Sequence, residues 1–237
     1  MRLIQTFIFL IFGASAVLGQ AEKPAPISDE VKKLLLEAWG LRKKNRYTDA
    51  LEKLDAAEKL NPNVADIYAL RGDIYLAPRR RDFDLALPQF EKAAQLQPDN
   101  PLFKLNLTEY YFVKQEYDTA LKALTKLITD YPKLRMDARH MAQYKRVLCE
   151  LKLGRRSAAD EIIAENFTFM DDTPAYYFCK AAISFESGNP NKGNEWIKRA
   201  VAAFKFPACE PYYDAFKELR WVPDLDFAPA PSPPKKP

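Results

Sequence analysis

Apolar and small residues recur along this chain at helical spacing. In Tyr47, Ala50, Leu54, Ala57, in Phe83, Ala86, Phe90, Ala93, and in Tyr117, Ala120, Leu124, Leu127, an aromatic residue is followed by steps of three, four and three. Residues so spaced share one face of an α-helix. Each stripe runs five residues further to a proline (Pro62, Pro98, Pro132), which ends the helix because it cannot donate and restricts its predecessor. The alanines Ala50, Ala86 and Ala120 are 36 and 34 residues apart, and the prolines repeat the same steps. Two more drifted copies centre on Gly154, Ala159, Ile163 and on Gly188, Gly193, Ile197, Ala200. Upstream of the first three stripes lie partner segments: Leu34, Ala38, Leu41; Tyr68, Gly72, Tyr75; and Leu107, Thr108, Tyr111. The repeating unit is a pair of helices whose small residues allow close approach.

The sequence Tyr68-Ala-Leu-Arg-Gly72-Asp-Ile-Tyr75, followed by Phe83, Ala86, Phe90, Ala93 and Pro98, resembles the tetratricopeptide repeat family. The resemblance covers roughly residues 31–204 and implies an all-α fold. That fold is a right-handed α-solenoid of about five hairpins, at 31–64, 65–100, 101–133, 134–173 and 174–204. The second unit departs by two extra residues around Pro78-Arg79-Arg80-Arg81, and the fourth carries Asn166 where the family has a small residue. Tyr212, Phe216 and Leu219 share a helical face, so 205–222 is expected to cap the stack.

The ends read differently. Residues 1–19 hold one positive charge (Arg2), an apolar run and small residues at its close, the parts of a secretory signal peptide. Cleavage after Ala16 and after Gly19 both fit, an uncleaved anchor is the alternative, and 20–30 is a short leader. No later stretch is long and apolar enough to span a membrane. The expected location is therefore exported, periplasmic or at the cell surface, in a bacterial setting. The tail 223–237 holds six prolines and is expected to be extended and unpacked.

Composition narrows the chemistry. Seven glycines in 237 residues are too few for the Gly-rich phosphate loops of nucleotide-binding α/β enzymes. One histidine, His140, excludes chemistry that needs two; it is expected at the surface near Asp137 and Arg139. Glu161 and Glu165, four apart on one helix, read as a solvated pair. Cys149, Cys179 and Cys209 lack any Cys-x-x-Cys spacing; they are either small buried hydrophobes or one disulfide with a free third, the pair left open. A net charge of +4 is too mild to announce a nucleic-acid binder, and no metal or cofactor is expected. The chain is read as a non-enzyme.

Two surfaces remain. The family resemblance places groove-facing residues on each unit's first helix: Lys32, Leu35, Trp39, Arg42; Asp66, Ala69, Asp73; and Leu102, Leu105, Glu109, Phe112. Phe178 and Phe185 face the groove in one register and the core in the other, whereas Tyr144, Val147, Leu148 and Leu151 are expected in the core. The best-known groove of this family clamps a terminal carboxylate with Lys, Arg and Asn. The matching places here hold Leu35, Trp39, Leu70, Leu102 and Asn106, and that activity is not implied. An apolar groove anchored by Trp39, Leu105 and Phe112 suits a peptide or helix of a protein partner, unless the 20–30 leader covers it. Self-association is a further option. The turns between paired helices are basic: Lys43, Lys44, Arg46; Arg79, Arg80, Arg81; Lys114; Arg155, Arg156; and Lys192. A basic rim would adsorb to an anionic polymer or membrane, and no aromatic residues are interleaved as single-stranded nucleic acid would need. The primary expectation is an interaction scaffold or adaptor of the cell envelope; the alternative is adsorption through that rim.

Overall fold

The structure, a computed structural model, describes residues 27–222. The signal, most of the leader and the proline-rich tail lie outside the described residues. Within them the chain forms eleven α-helices and no strand. It divides into two compact units, one ending at Phe167 and one beginning at Thr168.

Unit 1 holds α1 (Asp29–Lys43), α2 (Tyr47–Leu60), α3 (Ala65–Leu76), α4 (Phe83–Leu96), α5 (Pro101–Val113), α6 (Tyr117–Asp130), α7 (Met136–Lys152) and α8 (Arg156–Asn166). Local chemistry starts several of them. Ser28 Oγ accepts from the Val31 N–H at α1, with Asp29 and Glu30 in the first turn. Asn100 caps α5 ahead of Pro101, and Asp82 caps α4.

Each helix of unit 1 packs on the next, and the first helices of the hairpins also touch in succession: α1 on α3, α3 on α5, α5 on α7. Ala50, Leu54 and Ala57 of α2 meet Val31, Leu35 and Ala38 of α1 in one buried cluster, which continues through Ile67, Leu70 and Ile74 of α3. The small residues set the approach. A Cβ at Gly72 would stand 2.7 Å from the Phe90 ring, so the ring fills the space a side chain would take. Arg71, buried on α3, joins two hairpins: its guanidinium pairs with Asp55 at 2.8 Å and Glu58 at 2.7 Å, both on α2, and reaches Gln89 of α4. In α7, Tyr144, Val147, Leu148 and Leu151 are buried, the side expected from their periodicity.

Unit 2 holds α9 (Ala175–Glu186), α10 (Pro190–Phe204) and α11 (Phe206–Glu218). Phe178 and Phe185 of α9 lie in its core, which settles the two registers against the groove. Phe178 sits 5.5 Å from both Tyr212 and Phe216, and Phe185 stacks on Trp221 at 6.0 Å. Helix α11 thus covers the apolar side of α9.

One turn recurs in both units. Asn45, Gln115, Gly154, Gly188 and Arg220 all take positive φ, between 57° and 72°. In each case the following N–H (Arg46, Glu116, Arg155, Asn189, Trp221) donates to the carbonyl five residues back, at 2.8–2.9 Å. This left-handed cap satisfies carbonyls that the helix end leaves open. Because α11 also ends this way, the cap helix closes like the first helix of a hairpin. The α3–α4 turn differs: Arg81 takes the positive φ and Asp82 N–H reaches back seven residues to Tyr75. The two extra residues of the second unit are absorbed there.

Candidate protein-binding face

The successive contacts of α1, α3, α5 and α7 bring the first helices of unit 1 to one face. The residues read as groove-facing divide into two groups. Trp39, Ala69, Asp73, Leu102, Leu105 and Glu109 are half-buried and reachable. Leu35, Asp66 and Phe112 are buried, so as partner contacts they are corrected, as are Phe178 and Phe185 in unit 2. Leu35 joins the core between α1 and its neighbours. Phe112 is covered by a lysine: Lys145 Nζ stands 4.0 Å from its ring centroid.

Opposite charges stitch the same face together. Arg42 of α1 grips Asp73 of α3, Nη2 donating to Oδ1 at 2.8 Å while Nε stands 2.6 Å from Oδ2. Lys145 of α7 donates to Glu109 of α5, 3.0 Å from Oε1 and 2.9 Å from Oε2. The pairs lie 31 and 36 residues apart, close to the repeat length. Lys145 was not among the candidates from sequence; an opposite charge one repeat beyond Glu109 on a first helix was the available signal. Asp66, in the first turn of α3, is buried, and burial pushes its carboxyl up to about 7 against a smaller pull from its own backbone hydrogen bond. Trp39 lies half-buried on the core with Lys43 Nζ 5.3 Å from its ring centroid. The face is therefore mixed: apolar side chains at Trp39, Leu102 and Leu105, separated by paired charges.

The basic turns are exposed but largely matched. Arg46 pairs with Asp49, Lys114 with Glu116, Arg155 with Asp118 and Glu150, and Arg156 with Asp160. The Arg80 guanidinium lies 5.2 Å from the Tyr75 ring, and Arg81 donates to the Leu76 carbonyl. Lys43, Lys44 and Arg79 are exposed. Local carboxylates reduce the field that such a rim projects.

His140 is buried rather than on the surface. It meets the Phe167 ring edge-on at 5.2 Å, because the end of α8 folds over the first turns of α7. The three cysteines are free and buried, and burial pushes Cys149 and Cys209 up to about 12 and Cys179 well above its usual value. That selects the buried-thiol reading over a disulfide. Glu161 and Glu165 are exposed on α8. The Asn166 amide accepts from Gln143 and donates to the Ile162 carbonyl.

Sequence profiles of the tetratricopeptide repeat family match residues 35–101 and 79–143. Residues 35–143 thus carry tetratricopeptide repeats. A tetratricopeptide repeat protein from Parabacteroides merdae superposes with TM-score 0.61 at 16% identity, covering 80% of this chain and 71% of its own. Pseudomonas aeruginosa pilF gives 0.57 at 14%, covering 81% and 92%. A thermophilic tetratricopeptide repeat protein of Thermus thermophilus gives 0.58 at 19%, covering 79% and 99%. At such identities the likeness is one of fold. No curated protein matches the sequence. Tetratricopeptide repeats generally mediate protein–protein interaction and are typically non-catalytic. Among the described residues no helix is long and apolar enough to cross a membrane.

Proposed function

We propose that this protein is a non-enzymatic adaptor that holds a segment of a partner protein along the first-helix face of unit 1. The observation that carries the reading is the mixed face itself. Trp39, Leu102 and Leu105 offer apolar area between the Arg42–Asp73 and Glu109–Lys145 pairs, and large apolar side chains supply most of the energy in contacts of this kind. The paired charges keep the face rigid, so little ordering is needed on binding. An amphipathic helix or an extended peptide with alternating apolar residues fits such a surface. The reading includes export, supported by the signal-like residues 1–19, and a scaffold role in the cell envelope. Adsorption through the basic rim is the weaker account, because Arg46, Lys114, Arg155 and Arg156 already have carboxylate partners.

Affinity capture from the source cell with the full chain, repeated with Trp39→Ala and Leu105→Ala, tests this. A partner retained by the wild type and lost by about tenfold with either variant supports the adaptor role. Salt adds a second arm, since the screening length falls from about 10 Å to about 3 Å between about 0.1 M and about 1 M. A partner indifferent to both variants but released by salt overturns it.

A further inference from the structure

Within unit 2, α10 and α11 are joined by a single residue. Helix α10 ends at Phe204 and α11 begins at Phe206, so Lys205 closes one helix and opens the next. Among the described residues, every other connection between consecutive helices runs three to eight residues. Lys205 takes φ 64° and ψ 155°, a backbone region left almost entirely to glycine because a Cβ strains it. Little local chemistry keeps the bend. The Lys205 N–H donates to the Val201 carbonyl at 2.9 Å, but the side chain is exposed and no side chain caps the first turn of α11. The strain is therefore held by the docking of α11 itself.

That docking is apolar. Cys209, Tyr212, Tyr213, Ala215 and Phe216 of α11 are buried. Tyr212 and Phe216 each meet the Phe178 ring of α9 at 5.5 Å, and Phe216 meets Phe185 at 5.4 Å. Without α11, the now buried Phe178 and Phe185 would face water, and rings of that size need a cover. A short strained hinge can straighten, and the element beyond it then docks on a second copy of the chain by the same contacts. Phe178 and Phe185 of one copy receive Tyr212 and Phe216 of the other in place of their own. We propose that this chain forms a reciprocal dimer by exchanging α11, with Lys205 as the hinge. Exchange keeps every contact between α9 and α11 and frees Lys205 in both copies. Strain typical of that backbone region favours the exchanged form by about fivefold to about 150-fold per hinge. Opposing it is the freedom lost when two molecules become one, so the dimer grows with concentration. Neither the repeat motif nor the proposed adaptor face uses this device.

The test measures the mass of the full chain by light scattering after size-exclusion chromatography. A concentration series is first held warm, below the melting temperature, so that α11 can exchange. The wild type is expected to pair as concentration rises. Lys205→Gly relieves the closed form of its strain, so it is expected to weaken pairing at least about fivefold and to melt no lower than the wild type. A second measurement identifies the exchanged element. In dimers assembled warm from isotope-labelled and unlabelled chains, filtered nuclear Overhauser contacts between the Phe178 and Phe216 rings are expected across the two chains. Any of three results overturns the exchange. The first is a wild type that stays monomeric at every concentration. The second is a dimer that Lys205→Gly leaves equally tight. The third is a dimer whose Phe178–Phe216 contacts stay within each chain, the mark of ordinary face-to-face pairing.

Discussion

Lys145 Nζ lies 3.0 Å from Glu109 Oε1 and 4.0 Å from the centroid of the Phe112 ring, so one ammonium covers a ring and joins two first helices. Glu109 comes from α5 and Lys145 from α7, so the contact is made only when hairpins stand side by side in register. Removing the carboxylate strands the charge on an apolar ring, whereas removing both charge and need is cheap. Glu109→Ala is therefore expected to cost about 1–3 kcal/mol, the lower end reflecting the exposed side of Glu109, and Lys145→Met less than about 1 kcal/mol. Urea unfolding at neutral pH measures both. Equal losses would contradict the assignment.

Two glycines on first helices should respond with opposite sign. Gly40, inside α1, has nothing within 4 Å of an added Cβ, so Gly40→Ala gains helix propensity and should stabilise by about 0.5–1 kcal/mol. At Gly72 the added atom meets Phe90, which is itself buried and cannot swing away. Gly72→Val should cost about 1–3 kcal/mol or more by overpacking. Thermal unfolding of the two variants checks the pair.

Asp66 makes stability depend on pH. Its folded value of about 7 exceeds the unfolded value near 4, so between them the folded chain holds a proton that the unfolded chain releases. Stability is fully present below about pH 4 and declines as pH rises toward about 7. Asp66→Asn should match the wild type near pH 4 and exceed it at about pH 8, by at most about 4 kcal/mol for three pH units. Denaturant curves at the two pH values decide it.

The thiols should be silent in the folded state. All three are buried and held protonated by burial, and the thiolate is the reactive form. A chromogenic disulfide reagent at about pH 8 should react with none of them until denaturant is added, and then with three per chain. Rapid reaction of one thiol in the native chain would contradict the packing.

Helix pairing and repeat length were legible because Ala50, Ala86 and Ala120 mark the same contact three times and a proline closes each unit. The face was legible only in part. Helical spacing puts Leu35, Trp39 and Arg42 on one stripe of α1, but it does not say which of them a neighbouring helix covers. Leu35 went into the core between α1 and its neighbours, and Phe112 went under a lysine 33 positions away, which no local pattern reveals. His140 was misplaced for a similar reason: its cover, Phe167, arrives from the irregular end of the fourth hairpin. The Arg42–Asp73 pair was within reach, since both residues were already placed on facing first helices.

Site-specific photo-cross-linking tests the central claim most directly. A photoreactive amino acid replaces Leu105 on the first-helix face or, in a separate chain, Arg79 on the basic rim, and the cells that make the protein are irradiated. The account predicts a discrete adduct with one partner protein from position 105, lost with Trp39→Ala, and none from position 79. An adduct from position 79 alone would contradict it.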